Sequence, residues 1–534
     1  MVASNLFFRV DLTGEKRYTI KEPTRKLLKG LEEDVYVEVF LEGDLNAQFR
    51  RFRKSIRETL EEFRIYSNNK VHYTFTNPSL AMSEKARNEF MADLAAKGVQ
   101  GMRVIDGKEG ERVEKILFPG AIVSSNGFEK GVMLLKGGRT EGSQEALNQS
   151  IEGVEFELAN TIEKLATVTR KRIGWIKGHG ELDSLKAAGL NNALLEQYDV
   201  FKVDLPGKKV IPNYDALIIV KPTSAFSEQD KFKLDQYVMK GGKVLFLLDA
   251  LDAIMDSAAR DNYYAFPYEL NLDDQLFKYG VRINQNLVQD RVAGKYPVVV
   301  GTVGSRSQVM QLEWPFFPLV THYANHPITR NLDATLTRFI SSIDTVKAIG
   351  VKKTPLLFTS QYSHRVAAPV KIDINDRKKP DPGNFNDGPI PLAYLLEGNF
   401  TSLYKNRFLP PGMDSAAFSE KGTSSKIIVV ADGDIARNDV NPRSGQPQAL
   451  GFDPIVGYTF ANQDLLLNMM SFLMEENGLI SARNKEVKIR PLDKEKVKNE
   501  RAFWQAVNIA MPLVLLIAFG LGRAWMRKKK YASF

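Results

Sequence analysis

The chain has 534 residues, 43% apolar and 26% charged. This globular balance excludes a disordered chain, a collagen-like chain and a polytopic membrane protein, and the length allows two or three domains, each with its own core. Cysteine is absent, which removes disulfides, thiolate metal sites, iron–sulfur clusters and cysteine nucleophiles together. More than half of the net charge of +9 comes from the last twelve residues, where Arg523, Arg527, Lys528, Lys529 and Lys530 stand without an acid, so this is not a nucleic-acid-binding composition.

Residues 1–15 begin with eight uncharged residues, MVASNLFF, too few to cross a bilayer and without the basic start of a secretory signal. They read as a membrane-exit segment, and two alternatives stay open: the C-terminal helix orients the chain, or Met1 sits late in a longer N-terminal helix. Residues 16–140 read as a small α/β domain of thioredoxin-like outline. VYVEVFLE at 35–42 is a strand, Phe49, Phe52, Ile56, Leu60 and Phe63 recur at helical spacing over 49–66, and a second strand follows at 71–76. A helix is expected near 83–97 and strands near 101–105, 112–117 and 131–136. Leu147, Ile151, Val154, Leu158, Ile162, Leu165 and Val168 then keep a three-or-four spacing. They predict one connecting helix over 141–171 that packs across its own second domain, with coiled-coil pairing as the alternative.

Residues 172–480 read as a larger α/β domain. Apolar strands at 172–177, 200–204, 215–220, 243–248, 355–359, 391–396 and 426–431, with helices near 183–197 and 227–240, predict one open, mostly parallel sheet covered on both faces. The stretches 374–390 and 405–424 are rich in Pro, Gly, Asn, Asp and Ser and read as long loop insertions. A charged juxtamembrane segment at 481–501 leads to AFWQAVNIAMPLVLLIAFGLG at 502–522, which has no formal charge. As a helix rising ~1.5 Å per residue it spans ~31 Å, a bilayer core. Trp504 and Trp525 fall near its ends, where indoles favour the interface, and Pro512 is tolerable in lipid. The short basic tail, 523–534, is placed in the cytoplasm.

No P-loop, nucleophile elbow or H-E-x-x-H string occurs. The leading site candidate is the loop Gly178, His179, Gly180 and Glu181 after the first strand of the large sheet, the edge where open α/β sheets bind ligands. One imidazole beside one carboxylate lacks a nucleophile, so the plainer reading has His179 bonded to backbone and Glu181 capping the next helix. Asp249 and Asp252 follow the strand 243–248, and Asp432 and Asp434 follow 426–431. Such carboxylates can hold a hard cation but are ordinary turn residues too, and no metal or cofactor is expected. His322 and His326 have i, i+4 spacing, yet Pro327 argues for a loop rather than a ligand pair.

Six stretches carry a resemblance: FFRVDLTGEKRYTI (7–20), VYVEVFLEGDL (35–45), LNQSIEGVEFELANTI (147–162), RIGWIKGHGELD (172–183), LAYLLEGNFTSLYKNR (392–407) and RPLDKEKVKNERAFWQAVNIAMPLVLLIAFGLGRAWMRKKKYA (490–532). Together they resemble the gliding-motility ABC transporter auxiliary family (GldG) of the Bacteroidetes, within the wider ABC-transport auxiliary family. The resemblance implies an inner-membrane protein whose large domain faces the periplasm and which works with a separate ABC permease and ATPase in surface gliding and linked secretion. It also implies an N-terminal membrane helix, of which this chain shows at most the outer end. It further implies a flavodoxin-like, glutamine-amidotransferase-type fold over 172–250. Active members carry a cysteine after a strand, where this chain has Asp249 and Ala250, so amidotransferase activity is not expected.

The leading expectation is a non-enzymatic, membrane-anchored platform whose partners are the permease, the ATPase and the lipid bilayer, with oligomerisation left open and no nucleic acid. One alternative is a solute- or glycan-binding subunit that uses His179, Glu181, Asp249, Asp432 and Asp434. A third is a hydrolase using His179 and Glu181 with a metal.

Overall fold

The computed structural model describes residues 19–78, 83–108, 111–135, 144–166, 170–258, 263–303, 306–372, 382–413, 418–475, 478–484 and 499–531. The segment 1–15, much of the loop 374–390 and most of the juxtamembrane stretch 481–501 fall outside these residues. The chain divides into a body up to residue 485 and a separate unit from residue 486.

The body begins with α1 (Glu22–Lys29), β1 (Val35–Val39), α2 (Ala47–Tyr66), β2 (Val71–Phe75), α3 (Glu84–Ala96), β3 (Met102–Lys108), β4 (Glu111–Leu117), β5 (Gly120–Ser125), β6 (Phe128–Met133) and α4 (Gln144–Ala166). A four-stranded sheet runs β2-β1-β5-β6, with β1 and β2 parallel and the other pairs antiparallel. Alternation along β1 turns Val35, Val37 and Val39 inward against Phe49, Phe52, Ile56, Leu60 and Phe63 of α2. The Asn46 side chain starts that helix by accepting the Phe49 N–H at 3.0 Å. Strand β5 is absent from the sequence expectation. Its signal is Asn126-Gly127, both at positive φ (56° and 79°), which close the β5–β6 hairpin as a tight turn.

The long helix departs from expectation in where it packs. Leu147, Val154, Leu158 and Ile162 lie in the core shared by β1 and α2, while Phe156 meets Ile480 and Ala482 instead. A 23-residue helix presents more apolar surface than one stripe, so it serves two clusters. Its polar side ties back through Glu155, which accepts the Lys21 N–H at 2.6 Å and the Thr24 hydroxyl at 2.9 Å.

The second part contains β7 (Arg172–Lys177), α5 (Ala188–Leu195), β8 (Asp199–Asp204), β9 (Ala216–Val220), α6 (Glu228–Met239) and β10 (Lys243–Leu247). One eight-stranded sheet runs His322–Tyr323, Val351–Phe358, Pro391–Thr401, Lys421–Val430, β10, β9, β7, β8. The last five are parallel; the first three join antiparallel. The strands expected at 355–359 and 391–396 therefore belong to the sheet but pair antiparallel with their neighbours: Pro391–Thr401 runs against the parallel part, and Val351–Phe358, reversed twice, runs with it. A parallel connection needs a crossover, usually a helix, and no α-helix among the described residues lies between Phe358 and Lys421. Every residue of β9 is buried, and the helix Asn462–Met474 adds Leu465, Leu466, Met469, Met470 and Leu473 to the same core.

The stretch between β10 and residue 351 reads as irregular in sequence, yet it holds a hairpin of Ala293–Val303 against Arg306–Val320. Tyr296, Trp314, Phe316, Phe317 and Phe339 form an aromatic cluster at its base. Pro297, Pro315 and Pro318 hide these strands from a sequence reading, because proline normally argues against strand interiors.

Glu475 closes the helix Asn462–Met474 beside Glu163 of α4 and accepts the Ile480 N–H at 2.6 Å. Burial, followed by the Glu163 charge, pushes its carboxyl up to about 7, although the Ile480 bond and Lys426 oppose the shift. A carboxyl raised on folding stabilises the fold fully below its unfolded pKa, and that contribution is lost as pH rises through the folded value. Glu475→Gln in detergent should therefore lose less Tm than the parent between pH 5 and pH 8 by thermal unfolding. An identical decline in both proteins would show that Glu475 is not the titrating group.

Candidate functional site at the carboxyl edge of the large sheet

The parallel strands end on one edge, and the residues just past four of them, β7, β9, β10 and Lys421–Val430, form two separate polar clusters. The first follows β7. Gly178 and Gly180 both have positive φ (116° and 70°), and a Cβ on Gly180 would lie 2.2 Å from the Thr223 hydroxyl, so the loop requires glycine at both positions. His179 is 2% exposed and stacks on Phe226 at 3.7 Å with 9° between the rings. Its Nδ1 lies 3.3 Å from Glu181 Oε1 and its Nε2 lies 3.3 Å from Asp230 Oδ2. The other Glu181 oxygen accepts the N–H groups of Gly178 and His179, each at 3.0 Å.

Asp230 is also bonded to Ser227 Oγ (2.7 Å) and Lys233 Nζ (2.7 Å). Burial alone would raise both carboxyls, yet the His179 bonds hold Glu181 below its ordinary range, and Lys233, Ser227 and His179 do the same for Asp230. Glu181 thus caps its own loop rather than the next helix. That helix starts later than expected, at Ala188, because Asp183 first accepts the N–H groups of Leu185 and Lys186 at 2.9 Å.

The second cluster lies past β9, β10 and Lys421–Val430. Lys221 adopts φ 49°, a left-handed conformation that costs a non-glycine residue about 1 kcal/mol. Its ammonium bonds Asp249 and lies 2.7 Å from Asp434 Oδ2. Asp249 Oδ1 accepts the Gly433 N–H, and Asp432 accepts the N–H groups of Arg338 (2.9 Å) and Ile435 (3.1 Å). Arg338 in turn grips Asp439 with both terminal nitrogens, at 3.2 and 2.9 Å. Asp434 Oδ1 lies 3.6 Å from Arg437 Nη1, within ion-pair range but beyond a hydrogen bond.

Burial would lower the Lys221 pKa, but Asp249 and Asp434 overcome it and keep the ammonium charged. Burial and the neighbouring carboxylates drive Asp432 well above the ordinary carboxylate range, and burial raises Asp249. Burial would raise Asp434 as well, yet Lys221, Arg437 and Arg338 hold it below. The position a hard cation would take between two carboxylates is filled by the protein's own lysine, and among the described residues no group of three or more His, Asp or Glu is arranged for a metal.

The structure thus brings Asp249, Asp432 and Asp434 together and gives His179 and Glu181 a cluster of their own. Asp252 stands apart, accepting the Phe266 N–H at 2.5 Å. His322 begins a two-residue strand; His326 Nδ1 accepts the Ile328 N–H at 3.3 Å, and burial lowers its pKa to about 4. A pocket beside Asp249, lined by Tyr268, Leu272, Asp273 and Gln285, has a volume of about 20 Å³, room for one water rather than a sugar. Lys221, Asp230 and Arg338 were invisible to sequence reasoning. Lys221 directly follows the apolar run ALIIV, and a charge at that point is the one signal that could have marked it.

In the separate unit, the helix Arg501–Tyr531 carries a 29-residue candidate span, Arg501–Lys529, with an 18-residue stretch of mean hydropathy 1.9 inside it. Trp504, Pro512, Arg523, Trp525, Arg527, Lys528, Lys529 and Lys530 all lie on it. Trp504 Nε1 donates to Glu500 at 2.9 Å, and Lys529 Nζ sits 5.4 Å over the Trp525 ring.

An α/β body followed by one apolar helix of bilayer length fits a membrane-anchored protein. The chain belongs to the ABC-transport auxiliary family described as an ABC-type uncharacterized transport system, which matches residues 170–469, the whole large sheet included. A domain of unknown function (DUF7088) matches residues 14–124. An uncharacterized protein of Borreliella burgdorferi is 22% identical over 545 residues, covering 98% of this chain and 94% of the relative. The mmIFT52 N-terminal domain overlaps 57% of this chain and 96% of its own, at 13% identity and a TM-score of 0.33, too low to carry an argument.

Removing one partner of a buried ion pair leaves uncompensated charge and costs ~3–5 kcal/mol. Lys221→Met should therefore lower unfolding free energy by about that amount in urea titrations followed by tryptophan fluorescence. Adding Asp249→Asn and Asp434→Asn to the same chain should recover part of the loss. A Lys221→Met chain as stable as the parent would deny the cluster its structural role.

Proposed function

We propose that this chain is a non-enzymatic subunit of an ABC-type transport complex, anchored by the helix Arg501–Tyr531 and presenting its α/β body as a platform to the permease and ATPase subunits. The observation that carries this reading is the internal saturation of the sheet edge. His179, Glu181, Asp249 and Asp432 each bond to other groups of the same chain, so no nucleophile with a free general base stands there. Family membership supplies the transport system, and the helix supplies the bilayer. The finer reading has the body in the periplasm, the tail in the cytoplasm, and a role in surface gliding and linked secretion. Its support is the six resembling stretches and the purely basic tail.

The test is co-purification from native membranes in mild detergent. The intact chain should bring down a permease and an ATPase, and replacing residues 502–522 with an unrelated apolar span should cut that recovery at least tenfold while the chain stays in the membrane. The purified chain alone should hydrolyse no nucleotide, ester or peptide. Turnover that is lost in a His179→Ala, Glu181→Ala double variant would overturn the non-enzymatic reading.

A further inference from the structure

The membrane helix carries a feature that anchoring alone does not require. Gln505, Asn508 and Pro512 recur at i, i+3 and i+7 within the uncharged stretch. At ~100° per residue they fall within about 60° of one another, on one side of the helix. Gln505 and Asn508 are both exposed, and neither carboxamide has a hydrogen-bond partner among the described residues. Pro512 lacks the N–H that would bond the Asn508 carbonyl four residues back, so one backbone acceptor is freed beside the two amides. Asn508 lies six residues, about 9 Å, inside the span, and its side chain is too short to reach the interface. Hydrocarbon offers none of these groups a partner, and unsatisfied polar groups there are costly.

We infer that the Gln505–Asn508–Pro512 face is a contact between two copies of this chain. A carboxamide both donates and accepts, so a face bearing two of them and a free carbonyl is complementary to itself about a twofold axis. Copies of one chain enter the bilayer in the same orientation, so Asn508 of each stands at the same depth without any further matching. The Asn508 amide of one copy then donates to the freed carbonyl or the side-chain oxygen of the other. Polar side chains joining helices in lipid in this way fix the register of the pair. The inference rests on the reading of this helix as membrane-spanning and does not require the permease.

The absence of cysteine makes the test direct, because any disulfide between copies reports a position that was introduced. Leu515→Cys and Leu516→Cys flank the polar face; Ala510→Cys and Val514→Cys lie on the other side of the helix. In oxidised native membranes the first two should give a dimer of this chain several-fold more than the last two. In the Leu516→Cys background, Asn508→Leu should reduce that dimer several-fold, whereas Asn508→Gln should retain it. Alkaline extraction of each variant establishes membrane insertion separately, so loss of the anchor is not mistaken for loss of the contact. Equal yields at all four positions, a dimer indifferent to Asn508→Leu, or cross-linking from the polar face to a product of another mass would overturn the inference.

Discussion

The large sheet depends on one buried ammonium. Lys221 leaves the end of β9 in a left-handed conformation and sets its charge between Asp249, from the end of β10, and Asp434, from the loop after Lys421–Val430. Three neighbouring strands are thereby tied at the edge where parallel sheets have no further hydrogen-bond ladder. The close fit extends to the backbone: a Cβ on Gly433 would lie 2.6 Å from the Lys221 Cβ. Any one of these charges would be intolerable alone in that interior, and together they hold one another.

That arrangement decides what the edge does chemically. In open α/β sheets the carboxyl edge is the usual place for ligands, and this chain spends its polar groups there on itself. The His179 loop repeats the solution, with one imidazole between two carboxylates and an aromatic ring stacked on its face. On the proposed reading, a body closed in this way presents a rigid surface and leaves the chemistry that drives transport to other subunits. On the same reading, the helix Arg501–Tyr531 poses the opposite problem, because its polar groups face a medium that cannot satisfy them.

Several features were legible before any coordinates. The amphipathic spacing of Phe49, Phe52, Ile56, Leu60 and Phe63 marked α2, and the runs at 215–220 and 243–248 marked central strands, because local periodicity records which faces are buried. The aromatic hairpin at 293–320 was not legible, since its prolines mimic strand breakers. The antiparallel pairing of the strands at 355–359 and 391–396 was not legible either, because a strand's own sequence does not state which way its neighbour runs. Asp249, Asp432 and Asp434 could be named as carboxylates at strand ends, but nothing local shows that Lys221 stands between them.

Composition and pattern by themselves determined the absence of thiol chemistry, the α/β class and the single bilayer-length stretch near the carboxyl end, since each follows from residue types within a short window. Tertiary structure alone decided that α4 shares the core of β1 and α2, that five strands pair in parallel while three more join by antiparallel pairing, and that two carboxylates of the edge close on a lysine. These outcomes depend on residues such as Lys221 and Asp434, which are 213 positions apart in the chain and meet only because the strands that carry them lie on either side of β10.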